Sequence, residues 1–463
     1  MPGLTSAPTV AQALAAARET RKLESGPGTL ARTPVIFREL FGARAAMVVS
    51  DENSFRAAGQ AVLDVLRASG QVCLEPFLFR DPALHAEHNY VVQLERALGK
   101  TDAIPVAVGS GTLNDLVKLA SHRLQRPYLV VATAASMDGY TAFGASITFQ
   151  GSKQTFTCPA PAGVIADLDV IGAAPAEMNA SGYADLLAKI TAGADWLLAD
   201  ALGEEPVAIE AWNIVQGGLR AAVENPSGVG RGDRETIRKL TEGLMLAGFA
   251  MQSAQSSRPA SGAEHQFSHL WDMQHHTFQG QAPSHGFKVG IGTLAVSGLY
   301  EQLLQSPLEK LDVAHCCSAW PSIEMLPATI RRILGRGELS DKALEETRAK
   351  HISTSDLQKQ LERIRRLWPQ LKGRLREQLL PFKELQRRLR EAGAPTDPEQ
   401  IGISRQRLRD SFLQAYHIRR RFTVLDLAVR ADLLENSLSA VFGPSGPWPI
   451  NQAQPSGSGI PVA

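Results

Sequence analysis

Short apolar runs alternate with amphipathic stretches through the first 170 residues, and this alternation limits the possible folds more than any other feature of the chain. The apolar runs are residues 45–50, 72–79, 104–108, 128–132 and 163–168. Helical spacing of apolar side chains is found between them, in residues 55–68, 83–98 and 113–123. Strands that alternate with helices of this length predict an α/β fold, with a parallel sheet covered by helices.

The pattern changes after residue 170, where strand-like alternation disappears. Helical periodicity is clearest in residues 183–200, 206–225, 233–255 and 294–305. Because 463 residues exceed what one hydrophobic core normally serves, we expect two domains. We predict an N-terminal segment (1–30), an α/β domain (31–170), an all-α domain (171–442) and a disordered tail (443–463) rich in Pro, Gly and Ser.

The charge of the chain gives no indication of a nucleic-acid partner. Lys and Arg number 48 against 47 Asp and Glu, for a net charge of +1. The runs Arg387-Arg388 and Arg419-Arg420-Arg421 have acidic residues interspersed around them and few aromatic neighbours. We therefore interpret both runs as solvated helix faces.

Cysteine usage and hydropathy favour a cytoplasmic protein. Cys73, Cys158, Cys316 and Cys317 have no C-x-x-C spacing, so we expect reduced thiols. The chain has no stretch of 18 apolar residues and no basic start followed by a long apolar run. We therefore expect neither a signal peptide nor a membrane span.

A turn of small residues follows the strand predicted at residues 104–108. Gly109, Ser110 and Gly111 lack bulky side chains, and a helix is predicted from Leu113 onward. A strand, a glycine turn and a helix N-terminus present free backbone N–H groups and a positive dipole end to a pyrophosphate. A single G-x-G is weak evidence, since glycine turns between strand and helix also occur for steric reasons.

A second loop of small residues, TAASMDG at residues 133–139, follows the strand predicted at residues 128–132. Its hydroxyls and small side chains would let a cofactor lie close to the backbone. Asp51 follows the first predicted strand, where a carboxylate can accept hydrogen bonds from ribose hydroxyls and repel a 2′-phosphate. This position favours NAD over NADP, and the alternative for Asp51 is a helix cap.

Four polar residues of the second predicted domain have the chemistry of a metal and catalytic set. Asp185 lies among apolar neighbours, and a buried carboxylate is costly unless it binds a cation or pairs with a residue such as Lys189. His265 and His269 are spaced i and i+4, and His285 stands directly before a glycine. One carboxylate and two imidazoles suit Zn²⁺, Ni²⁺ or Fe²⁺. Each residue alone is explained as well by packing, and only their joint occurrence with the two loops favours a site.

Six motifs resemble, in order, those of the sn-glycerol-1-phosphate dehydrogenases within the iron-containing alcohol dehydrogenase and dehydroquinate synthase-like superfamily. They are GSGTLND, TAASMDG, IADLDV, YADLLAK, RPASGAEHQFSH and SHGFKVGIG. The resemblance covers residues 44–299 and implies a Rossmann-like nucleotide-binding domain followed by an all-α domain, in a dehydroquinate synthase-like architecture. Glycerol dehydrogenases of the superfamily usually carry lysine where this chain has Thr112, so the resemblance is to the glycerol-1-phosphate branch.

The resemblance also implies roles for individual residues. It makes Asp185, His265 and His285 the metal ligands, and it makes Asp138 and His269 catalytic residues that contact the substrate together with Asp185. The implied cofactor contacts are Gly109, Ser110, Gly111, Thr112 and Leu113 at the pyrophosphate, and Thr133, Ala134, Ala135 and Ser136 near the nicotinamide ribose. Ala142 departs from the family, because many relatives have a cofactor-contacting serine there, and Thr141 is the alternative hydroxyl.

The implied activity is reduction of dihydroxyacetone phosphate to sn-glycerol 1-phosphate by NADH or NADPH, with a metal, zinc, nickel or iron, as Lewis acid. This activity belongs to glycerophospholipid-type metabolism, and relatives of this kind are often homo-oligomers. By proximity to the motifs, Lys189, Arg258 and Lys288 are candidates for binding the substrate phosphate. Three alternatives stay open: a dehydrogenase of glycerol, a cyclase of the dehydroquinate synthase type, and a catalytically silent nucleotide-binding protein.

Overall fold

A parallel sheet of six strands forms the first part of the protein, as the alternation predicts. The computed structural model describes residues 8–150 and 152–450. Every strand pairing in this sheet is parallel, in the order β1-β8-β5-β4-β2-β3. The strands are β1 (Lys22–Gly26), β2 (Ala46–Asp51), β3 (Phe77–Phe79), β4 (Ile104–Gly109), β5 (Leu129–Ala132) and β8 (Gly163–Asp167). Two further strands, β6 (Ala145–Phe149) and β7 (Ser152–Phe156), form an antiparallel hairpin.

Helices cover both faces of the sheet and make up most of the described chain after residue 167. The α-helices of the described residues are α1 (Val10–Ala16), α2 (Thr33–Phe41), α3 (Glu52–Ser54), α4 (Gln60–Ala68), α5 (His88–Leu98), α6 (Gly111–Arg123), α7 (Leu168–Gly172), α8 (Ala176–Leu187), α9 (Lys189–Leu202), α10 (Ile209–Gln216), α11 (Leu219–Ala222), α12 (Pro226–Gly230), α13 (Arg234–Ala254), α14 (Ala263–Met273), α15 (His285–Gln305), α16 (Val313–Ala319), α17 (Leu326–Leu334), α18 (Glu338–Lys350), α19 (Thr354–Gln378), α20 (Phe382–Ala392), α21 (Arg405–His417), α22 (Val424–Arg430) and α23 (Leu434–Val441). This architecture confirms the predicted fold class.

The alternation of side chains along each strand explains why both faces of the sheet are buried. Val48, Val106 and Val131 lie in one apolar cluster with residues of α2 and α4. Their neighbours along the strands, such as Val49 and Ala107, belong to a second cluster that continues into the helical part. Because successive residues of a strand point to opposite faces, a run that is apolar throughout requires cover on both sides.

The carboxyl ends of the central strands meet at one edge of the sheet. Gly109 at the end of β4 pairs with Ala132 at the end of β5, and Asp51 ends the neighbouring β2. In open parallel sheets, ligands bind in the crevice outside the carboxyl ends of the strands. The two predicted cofactor loops, residues 109–113 and 133–139, therefore begin side by side.

Two features of the sheet region differ from the sequence-based predictions. The predicted N-terminal segment (1–30) contains β1, which pairs with β8 at the edge of the sheet. The hairpin β6–β7 was not predicted, although the alternation of apolar and polar residues in β6 (ASITF) was a usable signal. We retain residues 31–170 and 171–442 as proposed domain limits, with β1 extending the first of them toward residue 22.

The tail prediction is wrong for residues 443–450. Trp448 is fully buried, and its ring lies 5.3 Å from that of Phe382 and 6.3 Å from that of Phe442. A large aromatic side chain gains enough from burial to order a segment that is otherwise rich in Pro and Gly. Residues 451–463 of the predicted tail lie outside the described residues.

Among the described helices, none is long and apolar enough to cross a membrane.

Candidate metal and cofactor site

Three helices bring Asp185, His265 and His285 together. Asp185 lies in α8, His265 in the first turn of α14, and His285 begins α15. One potential ligand atom from each of the three lies within 4.8 Å of the others. Asp185 is fully buried, and His265 is 6% exposed. A carboxylate and two imidazoles at this separation fit one divalent cation, with coordination positions left for a substrate.

Very close backbone contacts hold α8 against both α15 and the TAASMDG loop. A Cβ added at Gly286 would lie 1.8 Å from the carbonyl oxygen of Ser181, and one added at Gly182 would lie 1.8 Å from that of Ala135. Only glycine fits at such distances. Gly182 in α8 and Gly286 in α15 therefore allow the close packing that places Asp185 and His285 beside the second cofactor loop.

We expect Gly182→Ala to lower the free energy of unfolding by about 1–3 kcal/mol, because its Cβ would overlap Ala135 and force α8 away from the loop. Gly373→Ala is the matched control, since a Cβ at this glycine of α19 meets nothing within 4 Å. The control should be neutral or stabilised by up to about 1 kcal/mol. Urea titration of the two variants measures both values, and equal stabilities would contradict the tight contact.

A buried lysine lies between two carboxylates of the cluster. The Lys189 Nζ atom is 2.6 Å from Asp185 Oδ1 and 2.7 Å from Asp138 Oδ2. The Asp138 backbone N–H also donates to Asp185 Oδ2 at 3.1 Å. Burial opposes ionisation of Asp185, but the charge of Lys189 and the hydrogen bond from His265 outweigh it and hold the pKa of Asp185 below its ordinary value. The Asp185–Lys189 pair, which the sequence analysis gave as the simpler alternative, is thus present within the cluster that fits a cation.

A second carboxylate orients His265. Glu264 Oε1 accepts a hydrogen bond from His265 Nδ1 at 2.8 Å, and Glu264 Oε2 accepts one from the Thr191 hydroxyl at 2.9 Å. With Nδ1 engaged, His265 Nε2 is the nitrogen toward Asp185, at 3.5 Å from Oδ1. Metal-bound histidines usually have such a carboxylate partner. Glu264 was not predicted from the sequence, although an acidic residue directly before a candidate ligand was a usable signal.

We expect Glu264→Gln to weaken metal binding by about 10- to 100-fold, because the amide loses the charge that holds the His265 ring and raises its basicity. Gln keeps an acceptor for the Thr191 hydroxyl, so the fold should survive. Metal affinity measured by competition with a chromogenic chelator tests this. Unchanged affinity would remove Glu264 from the site.

His269 lies one helical turn after His265, with the two ring centres 6.4 Å apart. Its Nδ1 is 3.0 Å from Arg419 Nη2. Because a guanidinium can only donate, Nδ1 accepts this hydrogen bond, and a neutral ring then carries its proton on Nε2. The pKa of His269 is held well below its ordinary value, mainly by burial and secondly by the charge of Arg419. His269 is therefore not one of the three clustered ligands but a neutral imidazole beside them.

The glycine turn and the TAASMDG loop are tied together next to the cluster. Asn114 Nδ2, in the first turn of α6, donates to the Gly139 carbonyl at 2.9 Å, and the Tyr140 hydroxyl, directly after the loop, lies 3.3 Å from the Gly109 carbonyl of the turn. Ser110 is the N-cap of α6 and makes no side-chain cap bond. The first backbone N–H groups of this 13-residue helix thus have no capping oxygen, which fits a pyrophosphate at the predicted turn.

The structure answers two points that the sequence analysis left open at the cofactor loops. Asp51 Oδ1 accepts from the backbone N–H groups of Asn53 and Ser54 at 2.8 and 2.9 Å, so it caps α3. A ribose contact by Asp51 would have to use its other oxygen. Thr141 cannot replace the family serine, because its hydroxyl is fully buried and donates to the Met245 carbonyl at 2.7 Å.

None of the three candidate phosphate cations is free. Lys189 is shared by the two carboxylates above, and Lys288 pairs with Asp272. Arg258 is 1% exposed and donates to the carbonyls of Asp195 and Phe422 at 2.7 and 3.0 Å. Each of the three thus has a carboxylate partner, with Glu205 Oε2 at 3.3 Å from Arg258 Nε, and this neutralisation argues against all three as the phosphate contact.

A small cavity opens beside the two histidines of α14. Besides His265 and His269, it is lined by residues that include Ser261, Gln266, Arg419 and Arg421. The interpretation of the run 419–421 as a solvated helix face is therefore wrong for its two outer members. They lie in the irregular segment between α21 and α22, where side chains alternate in direction, and not on a helix.

Comparisons with known proteins identify relatives of this chain. The profile of the iron-containing alcohol dehydrogenase family matches residues 24–175. The chain is 35% identical over 265 residues to the glycerol-1-phosphate dehydrogenase (NAD(P)+) of Halalkalibacterium halodurans, covering 57% of this chain and 66% of that protein. It is 31% identical over 294 residues to the enzyme of the same name from Geobacillus thermodenitrificans, covering 62% of this chain and 72% of that protein.

Among solved structures, a probable glycerol dehydrogenase from Sinorhizobium meliloti 1021 superposes with a TM-score of 0.58. The superposition covers 91% of this chain and 97% of that one, at 14% sequence identity. At this identity the likeness concerns the fold alone.

Proposed function

This chain belongs to the glycerol-1-phosphate dehydrogenase family of the iron-containing alcohol dehydrogenases, and on that premise we propose that it reduces dihydroxyacetone phosphate to sn-glycerol 1-phosphate. The observation that carries the proposal is the cluster of Asp185, His265 and His285 beside the two cofactor loops. A silent nucleotide-binding protein would have no physical need for three convergent ligand atoms. The face of the ketone that receives hydride is proposed from the family alone.

The donor set supports a divalent cation held by Asp185, His265 and His285. When bound, the cation would supply Lewis-acid polarisation of a carbonyl, and NADH would supply the hydride. Mixed nitrogen and oxygen ligands suit zinc or nickel, with iron as the alternative. We propose NAD rather than NADP from the carboxylate of Asp51 at the end of β2.

The chain's own residues would position the substrate and handle the proton. Lys189 fixes Asp138 next to Asp185, so a substrate hydroxyl near the cluster would meet the Asp138 carboxylate. His269 accepts from Arg419 through Nδ1 and has its Nε2–H left to donate. We propose that this N–H orients the water or hydroxyl through which the product oxygen receives its proton.

The test is oxidation of NADH by metal-reconstituted protein with dihydroxyacetone phosphate, followed by stereospecific analysis of the glycerol phosphate. Formation of sn-glycerol 1-phosphate, and its loss after chelation of the metal, is the expected result. Faster turnover of unphosphorylated glycerol or dihydroxyacetone would make the protein a polyol dehydrogenase. No net change in NADH with a metal and nucleotide bound would favour a cyclase or a silent protein.

We also propose a homo-oligomeric cytoplasmic enzyme of glycerophospholipid-type metabolism. The four cysteines are free thiols, which suits a reducing compartment. Light scattering of the purified protein tests the oligomeric state.

A further inference from the structure

Arg419 and Arg421 border the cavity beside His265 and His269 without any acidic partner. Within residues 8–150 and 152–450, no carboxylate oxygen lies within 4 Å of either guanidinium, whereas Arg420 pairs with Glu346 at 2.9 Å and is exposed. Arg419 makes its hydrogen bond to His269, and Arg421 donates to the Ser261 carbonyl and the Ser257 hydroxyl, both at 2.9 Å. Each guanidinium has five N–H donors, so donors remain on both.

The cavity also contains a buried amide whose polar atoms have no partner. Gln266 is 3% exposed, and neither its Oε1 nor its Nε2 is hydrogen-bonded to any described residue. Buried polar side chains are nearly always satisfied in native proteins, so such an amide at a cavity wall indicates a missing ligand. Burial has the largest effect on the pKa of Arg421, and the neighbouring cations Arg258 and Arg419 add to it, so that the pKa falls to about 9. A lowered pKa is expected of a buried cation that lacks a counter-ion.

The position of the two arginines relative to the cluster suits a short phosphorylated molecule. Arg419 touches His269, whose ring centre is 6.4 Å from that of His265. A three-carbon substrate with its carbonyl at the cluster would thus have its phosphate near the cavity. A planar guanidinium matches the geometry of phosphate oxygens and is the usual choice for such contacts.

We propose that Arg419 and Arg421, together with Gln266, form the phosphate anchor that makes this site selective for a phosphorylated three-carbon substrate. The proposal rests on the proposed function for the identity of the substrate. It gives the irregular segment before α22 a role in binding, well beyond the part of the chain that carries the family motifs.

The experiment compares Arg419→Gln and Arg421→Gln with Arg420→Gln, in metal-loaded full-length protein. The readout is the ratio of kcat/KM for dihydroxyacetone phosphate to kcat/KM for dihydroxyacetone. The ratio should fall about 10- to 100-fold in each outer variant, because each loses a charged hydrogen bond to the phosphate alone. Arg420→Gln should change it by less than about twofold, since that arginine is exposed, pairs with Glu346 and does not line the cavity.

Arg421→Lys provides a second variant should Arg421→Gln fold poorly, and it should recover part of the ratio because it restores the positive charge. A structural role would lower both kcat/KM values equally and leave the ratio constant, which would overturn the anchor. An unchanged ratio with full activity would overturn it as well.

Failure of the proposed function is recognised separately, as absence of dihydroxyacetone phosphate turnover by the wild-type protein. In that case calorimetric titration with inorganic phosphate tests the anchor directly. Binding that is lost in the Arg419→Gln/Arg421→Gln double variant and kept in Arg420→Gln supports it. Equal binding by all three proteins overturns it.

Discussion

Asp185→Asn is expected to lose its bound metal and to lower kcat by at least roughly a thousand-fold. The substitution keeps the shape of the side chain but removes the only charged ligand of the cluster, and Lewis-acid stabilisation of a developing alkoxide is worth several kcal/mol. Metal content after dialysis, measured by atomic emission, and turnover of dihydroxyacetone phosphate are the two measurements. Full metal occupancy in the variant would remove Asp185 from the ligand set.

Two further variants distinguish loss of metal binding from damage to the fold. Asp64→Asn makes the same chemical change at an exposed position of α4 and should leave both measurements unchanged. Lys189 is fully buried and keeps its contact with Asp138 when Asp185 is changed, but its environment still loses one negative charge. His285→Gln should also lose the metal without touching Lys189, so agreement between the two variants would attribute the loss to ligation.

His269→Ala is expected to retain the metal and to lower kcat by about 100- to 10,000-fold, the usual range for loss of a group that transfers a proton. The reason is geometric, because His269 lies beside the three clustered ligands and directs Nδ1 to Arg419, which leaves the Nε2–H for the reaction. Metal content and kcat should therefore respond differently, unlike in Asp185→Asn.

The matched control is His276→Gln, at a histidine that contacts the Ile401 carbonyl and Arg407 instead of the cluster. This variant should have the kcat and the metal content of the wild-type protein. Loss of metal from His269→Ala would make His269 a ligand, and undiminished kcat would show that the proton takes another route.

The ligand set was predicted through the resemblance to the family, because Asp185, His265 and His285 lie on three different helices and only pairs within one segment have a local spacing. Asp185 and Lys189 are one helical turn apart, and His265 and His269 share a face of α14, so their spacing already indicated proximity. The strand runs and the glycine turn were equally local signals. Their roles as ligands and cofactor contacts stay proposals that the variants above would test.

Other parts of the site depend on contacts between segments far apart in the chain. Arg419 is 150 residues from His269, and nothing in the run of three arginines indicates which side chains turn inward. Arg420 instead pairs with Glu346, a buried carboxylate of α18, and its own side chain stays exposed. The run therefore had the composition of a solvated face, although two of its members line a cavity.

Local periodicity and backbone preference are enough to predict five strands of the sheet, the glycine turn and the spacing of the histidines. Long-range packing is needed to bring β1 into the sheet, to bury Trp448 at the start of the tail and to place Arg419 and Arg421 at the cavity beside His265 and His269. These outcomes depend on which distant surfaces bury each other, and that burial is set by packing across the whole chain. The same packing would put a Cβ at Gly182 only 1.8 Å from the Ala135 carbonyl oxygen. Glycine is therefore required there for a reason that no local sequence pattern contains.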